Sequence, residues 1–286
     1  MTETHTYGDS AYFTLPDGRK LHYWVKGEGG PTVGFEAGMG FSGAMWGMVQ
    51  PEVAKLATTL VYDRAGTGRS DDKPGAHTLD MAAADLGALL ASLPQLAPFI
   101  LVGASWGGPI VRHLAAKGGV PIRALVLVDQ SDENAPDFFT PAARKQFEAT
   151  PKMLIPLAKL GLYKLIGQGP GKHQPAEVRK DHYEYDFTVR AAQNFASEIS
   201  NFIPDMEWLR DNPNRLEGVE VSVISGIKPG MLDGKQRTSI NAAHRKTAEY
   251  VSKGRFVPAE NSGHYVMFHQ PEIIVSEVAR LLGKSI

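Results

Sequence analysis

Residues 99–111 read FILVGASWGGPIV, an apolar run that ends at a serine framed by glycines, Gly103-Ala104-Ser105-Trp106-Gly107, and passes directly into helix-compatible sequence. Fifteen serines and 30 glycines in 286 residues give about 0.17 such frames by chance, so the bare spacing is weak and its context decides. The context is a buried strand on one side and a helix on the other. A serine perched on a sharp strand-to-helix turn needs small neighbours, because their side chains would collide with the adjacent strand and helix. Gly103 and Gly107 meet that need, which sets aside the plainer reading of a serine that only caps the helix after it.

The same rhythm extends outward. MWGMVQPEVAKLA precedes TTLVYD, TLDMAAADLGALLASL precedes FILVG, and GPIVRHLAAKGG precedes RALVLVD. Apolar runs alternating with helical stretches predict a mostly parallel sheet flanked by helices, an α/β architecture. Before it, AYFTL and KLHYWVKG around the turn PDG predict a hairpin leading into the buried strand TVGFE. The alternation stops after Asp129. Residues 132–217 carry two helical stretches separated by GQGPGKHQP and no buried strand, and the alternation resumes at VEVSVISG. The expected organisation is a core of residues 1–131 and 218–286 with a helical cap, 132–217, above the sheet.

Thirty Lys and Arg against 31 Asp and Glu give a formal net charge of −1, which offers no field for a phosphate backbone, so no nucleic-acid partner is expected. The absence of Cys removes disulfides, thiolate nucleophiles and Cys-ligated metals together. MTETHTYGDS has no basic segment followed by an apolar run, and the longest apolar stretches fall far short of the roughly 20 residues that span a bilayer. A cytoplasmic protein without a membrane span is expected. Its oligomeric state is open.

Beyond GASWGG, the segments EAGMG (36–40), YDRAGTGRSD (62–71), LVLVD (125–129) and NSGHYVMFHQPE (261–272) stand in an order and spacing that resemble the α/β-hydrolase superfamily over nearly the whole chain. GASWGG itself is similar to the elbow of proline iminopeptidase relatives. The resemblance implies an α/β-hydrolase fold, a serine nucleophile at Ser105 and a catalytic His after the last strand.

A serine hydroxyl needs a neighbouring base, and His264 and His269 both follow the last strand. His264, in the SGH loop where such relatives carry the base, is the candidate, whereas His269 at the entrance to the final helix reads as a packing or capping residue. The resemblance places the oxyanion donors on the backbone amides of Trp106 and of Met39 in EAGMG, where Gly38 and Gly40 let the chain approach a substrate closely. Relatives often carry His-Gly where this chain has Ala37-Gly38. Glu36 is a candidate to pair with Arg64.

The third member departs most from the usual pattern, because the position after the strand that follows the cap is occupied by Lys228-Pro229-Gly230. Asp129, at the end of the strand before the cap, is the assigned acid. Asp233 is the alternative, and Asp132 a further one.

Ten of the 25 aromatic residues fall within 132–217, which predicts a largely apolar pocket, with Phe138, Phe139, Tyr163, Tyr185, Phe187, Phe195, Phe202 and Trp208 available either to line it or to pack. The run from Asp181 to Asp186 reads as a solvated helical face rather than a metal site, and no cofactor or metal is expected. The expected activity is hydrolysis of a small, largely apolar ester or lactone (class EC 3.1.1) through an acyl-enzyme on Ser105. An aminopeptidase of the iminopeptidase type, using Glu184, Asp186, Glu198, Asp205 or Glu207 to hold a substrate ammonium, is the first alternative. A non-hydrolytic small-molecule receptor, or a cofactor-free lyase or oxygenase on the same fold, is the other.

Overall fold

Eight strands form one sheet in the order β1-β2-β4-β3-β5-β6-β7-β8. The computed structural model describes residues 5–167, 170–230 and 234–285. β1 (Asp9–Thr14) and β2 (Lys20–Lys26) are the expected antiparallel hairpin, and β2 also runs antiparallel to β4 (Thr59–Tyr62). β3 (Thr32–Glu36), β4, β5 (Phe99–Ala104), β6 (Ile122–Val128), β7 (Glu220–Gly226) and β8 (Gly254–Ala259) pair in parallel.

Every residue of β5 is buried, as its apolar run requires of a strand covered on both faces. Successive side chains serve opposite layers: Ile100, Val102 and Ala104 join one core cluster, Phe99 and Leu101 the other. α2 (Leu79–Ala91), α3 (Gly107–Lys117) and α8 (Gly234–Tyr250) cover the second layer, while α1 (Gln50–Val53), α9 (Val266–His269) and α10 (Pro271–Leu282) cover the first. Truncating a side chain such as Leu101, 1% exposed, to Ala would cost about 2–5 kcal/mol in lost transfer energy and cavity formation.

Between β6 and β7 the described residues form helices alone: α4 (Pro141–Lys159), α5 (Tyr163–Gly167), α6 (Ala176–Tyr185) and α7 (Val189–Asp211), with short 3₁₀ turns at Pro136–Phe139 and Pro170–His173. Two local expectations are corrected. MWGMVQPEVAKLA is not one helix but a 3₁₀ turn at Gly43–Trp46 followed by the single turn α1, with Pro51 at the start of the latter. The second helical stretch of the insertion divides at Asp186–Thr188, where Thr188 caps α7 by accepting the Ala191 amide.

The chain leaves β3 towards β4 on one side and reaches β5 on the other, so β3 and β5 flank the point where the strand order reverses. Open α/β sheets bind ligands in the crevice outside the strands' carboxyl ends at such a point. EAGMG follows β3 and the Ser105 turn follows β5.

Candidate active site

Ser105 has φ +50° and Asp129 φ +41°, and among the described residues these are the two non-glycine positions with positive φ. Such backbone costs on the order of 1–3 kcal/mol per residue and persists where the surroundings over-determine it. The surroundings of Ser105 do so. A Cβ on Gly103 would lie 2.5 Å from the Gly107 carbonyl oxygen, and one on Gly107 would lie 2.6 Å from the Glu36 carbonyl oxygen, so both glycines are dictated by backbone contact. The Ser105 amide donates to Val128 O (3.1 Å), and Ser105 O accepts from the amides of Gly108 and Ser131 (3.1 and 2.9 Å). The turn is thereby tied to the end of β6 as well as to its own helix.

Asp129 closes β6. Its amide donates to Ile224 O, its Oδ1 accepts from the Gly226 amide (2.8 Å) and from Arg237 Nη1 (2.7 Å), and its Oδ2 lies 2.7 Å from His264 Nδ1. Burial pushes its carboxyl up, but the hydrogen bond and charge of His264, with the charges of His244 and Arg237, outweigh that and hold it at about 2. Asp129 is therefore an acceptor-only carboxylate at neutral pH, so its hydrogen bond with His264 needs a proton on Nδ1 and turns Nε2 away from the acid. Asp132 is engaged elsewhere, by Gln130, Asn134 and Thr247. Asp233 lies outside the described residues. His269 is exposed and packs edge-on against Tyr265, and His113 is a partnered structural histidine 3.1 Å from Asp80.

Ser105, Asp129 and His264 line one cavity of about 450 Å³, together with Met39 and Trp106. A Cβ on Gly38 would stand 3.4 Å from the Cβ of Ser105, so the loop after β3 passes directly over the serine. The amides of Gly38 and Gly40 are committed, to Met45 Sδ (3.1 Å) and Glu198 Oε2 (2.7 Å). Those of Met39 and Trp106 donate to no partner among the described residues.

A buried cluster of charges holds that loop. Arg64 bonds Glu36, donates to Ala37 O (3.1 Å) and Gly38 O (3.0 Å), and reaches Glu198 Oε1 (2.7 Å) on α7; Tyr62 also bonds Glu36. Burial works against the charge on Arg64, but Glu198 and Glu36 raise its pKa above the ordinary arginine value. Burial in turn raises Glu36, opposed by Arg64. The expected Glu36–Arg64 pair is present; Glu198, named from the sequence only as a carboxylate for a substrate ammonium, instead holds Arg64, and Arg237 was not named at all. Both lie within periodic helical stretches, 134 residues from Arg64 and 108 from Asp129 respectively, and no local signal marks them.

The opposite wall is aromatic. Phe138, Phe147, Phe195 and Phe202 line it, and Phe202 packs edge-to-face on Trp106 (5.3 Å), Phe138 (5.3 Å) and Phe147 (5.1 Å). Of the eight aromatics named from the sequence, Phe138, Phe195 and Phe202 face the cavity. Phe139 lies under Arg210, Tyr163 packs on Phe187, and Trp208 is half-exposed against His113. The run from Asp181 to Asp186 is not a solvated face: Asp181, His182 and Asp186 are buried, with Asp181 bonded to Arg69 and His182 to Asp186.

The alpha/beta hydrolase family matches this chain over residues 35–277. An uncharacterised protein of Bacillus subtilis (strain 168) is 30% identical over 129 residues, 45% of this chain and 48% of that protein. A putative carbamate hydrolase, RutD, of Pantoea ananatis (strain LMG 20103) is 32% identical over 116 residues, 38% of this chain and 41% of that protein. The matched region is thus less than half the length of either relative. The solved structure of a hydrolase from Pseudomonas aeruginosa PA01 superposes with a TM-score of 0.72 at 21% identity, covering 96% of this chain and 99% of that one. No helix among the described residues is long and apolar enough to cross a membrane.

Proposed function

The chain belongs to the alpha/beta hydrolase family, and from that premise we propose that it is a serine hydrolase that cleaves a carboxylic ester or lactone of a small, largely apolar substrate through an acyl-enzyme on Ser105. The observation that carries this reading is the 2.7 Å contact of His264 Nδ1 with Asp129 at the wall of the same cavity that Ser105 lines. In the proposed reaction His264 Nε2 takes the proton from Ser105 Oγ as the oxygen attacks the carbonyl carbon. The imidazolium formed is stabilised by Asp129, and the amides of Met39 and Trp106 receive the oxyanion. The imidazolium then protonates the leaving alcohol, and a water activated by the same nitrogen hydrolyses the acyl-enzyme. The helical segment 132–217 acts as the cap that shapes the acyl pocket.

A carbamate, the group named for the Pantoea relative, presents the same acyl carbon and fits the same steps. The iminopeptidase alternative loses the five carboxylates named for it, and Asp137 is the carboxylate of residues 132–217 that does line the cavity. None of Glu184, Asp186, Glu198, Asp205 and Glu207 lines it, and Glu198 and Asp186 are spent on Arg64 and His182.

The test is labelling by a fluorophosphonate. The folded protein is expected to be modified at Ser105 and to hydrolyse p-nitrophenyl butyrate far faster than proline p-nitroanilide, and Ser105→Ala to lose both labelling and turnover. An unlabelled Ser105 in folded protein overturns the hydrolase reading in favour of a receptor, and a preference for the anilide overturns it in favour of a peptidase.

A further inference from the structure

We propose that the outer face of α4 and the turn into α5 form a docking surface for an anionic lipid bilayer. Single exposed apolar side chains are ordinary on protein surfaces, and only their clustering is informative. Here they cluster. Eight large apolar side chains are exposed among the described residues, and four of them fall within residues 153–165: Met153 (61% exposed), Leu160 (73%), Leu162 (42%) and Leu165 (67%). On α4 the exposed residues Ala149, Met153, Pro156 and Leu160 recur at the three- and four-residue spacing that places them on one face.

Cations accompany this stripe. Lys145, Lys152 and Lys159, all exposed, are spaced by seven and so run alongside it on α4, and exposed Lys164 follows on α5. No Asp or Glu occurs between Glu148 and Glu177, so the stretch that carries the stripe holds no acid of its own, and Glu207 of α7 is paired with Arg144 of α4. Leucine and methionine beside a row of lysines match the interface of an anionic membrane, where apolar side chains enter the boundary of the acyl chains and ammonium groups meet lipid phosphates. A second copy of this chain is a poorer occupant, because a two-fold contact pairs the patch with itself and so brings a second row of lysines and no row of acids to meet the first.

Ala143 and Phe147, on another side of α4, line the cavity, and exposed Gln146, seven residues before Met153, stands at its edge. Docking therefore brings the cavity wall against the phase in which apolar esters concentrate, a consequence that rests on the function proposed above, although the docking itself does not.

Co-sedimentation with vesicles of phosphatidylcholine, alone or mixed with phosphatidylglycerol, tests the proposal on the full chain. Wild type is expected to bind the mixed vesicles, bind them less as salt is raised, and bind neutral vesicles weakly. Two surface variants, Met153→Ser with Leu160→Ser and Lys152→Glu with Lys159→Glu, are expected to lower the partition coefficient roughly tenfold or more at unchanged melting temperature. Absent binding, equal binding to both vesicle types, or binding that survives both variants overturns it. So does a dimer in sedimentation velocity that Leu160→Ser dissolves, which assigns the face to a second copy. Vesicle binding and fluorophosphonate labelling of Ser105 are separate readouts, so either proposal can fail while the other stands.

Discussion

On one side of the cavity the chain is held at the carboxyl ends of β3, β5 and β6 in conformations that side chains rarely adopt, with Ser105 and Asp129 both at positive φ. On the other side α4 and α7 present phenylalanines from ordinary helical backbone. The first wall is fixed by backbone contacts: glycines that admit no Cβ, amides committed to named acceptors, a carboxylate with three donors. The second is fixed by ring packing, which tolerates substitution of one apolar shape by another. Chemistry should therefore depend steeply on single atoms of the first wall, and substrate choice gradually on the second.

The steepest test of that contrast is Asp129→Asn. An amide in place of the carboxylate presents a donor or a neutral acceptor to His264 Nδ1 and stabilises the imidazolium poorly, so kcat is expected to fall by about 10³ to 10⁴ while KM changes little. The carboxylate also carries a signature in stability. Its pKa is lowered from 3.8 to about 2, so its contribution is complete above roughly pH 4 and is lost as the pH falls towards 2. Acid unfolding of the variant should lack that part of the slope. Unchanged turnover in Asp129→Asn transfers the role of triad acid to Asp233.

The next test crosses from one wall to the other. Glu198 is on α7, yet its Oε2 accepts the amide of Gly40, the neighbour of Met39, and its Oε1 holds the arginine that clamps Gly38 O. Glu198→Ala leaves Arg64 paired with Glu36 and frees the loop, so kcat should fall about ten- to hundredfold at nearly constant KM, a smaller loss than removing an oxyanion donor outright. The discriminating measurement is the affinity for a trifluoromethyl ketone, which should fall in parallel with kcat/KM. An unchanged affinity would confine Glu198 to holding α7 in place.

What could be read from the sequence divides along the same line. The turn that carries Ser105 was legible because Gly103 and Gly107 admit no Cβ, and the place of Asp129 because it ends an apolar strand, while its proposed part as the acid came from the resemblance to superfamily members that carry one at that strand end. The partners of Glu198 and Arg237 were not legible, since each sits in a helical stretch whose period reports only which face is buried, and each meets its partner through the tertiary fold. The Asp181–Asp186 run reads otherwise for the same reason: consecutive helical residues diverge as expected, but α6 packs so that Asp181, His182 and Asp186 are buried and bonded, Asp181 to Arg69 and His182 to Asp186. The pocket's aromatic character was visible in composition, while Phe147, which helps build it, was passed over because ring placement depends on how α4 meets α7.

On the aromatic wall, Phe147→Ala removes one of the rings packed around Phe202 and enlarges the cavity without touching the strand-end loops. The expected change is a shift of the preferred acyl chain to a longer one, with kcat/KM for p-nitrophenyl butyrate lowered only about two- to tenfold. A loss as large as that of Asp129→Asn would erase the contrast between the walls.

The smallest effect probes the seam where α7 meets α2. Asp205 on α7 is half-buried and accepts the Leu79 amide at the start of α2; burial raises its pKa to about 6, against the lowering effect of that hydrogen bond. The folded protein therefore holds this proton more tightly than the unfolded chain, so the group favours folding below about pH 4 and loses that contribution as the pH rises through 6. Asn keeps an oxygen for the Leu79 amide and carries no charge. Asp205→Asn should accordingly raise the melting temperature at pH 8 by about 2 °C, a figure discounted for solvent screening, and leave it nearly unchanged at pH 4. Equal destabilisation at both values would mean that the seam depends on the hydrogen bond to Leu79 and not on the carboxyl's ionisation, whereas destabilisation at pH 8 alone would mean that the charge favours folding there.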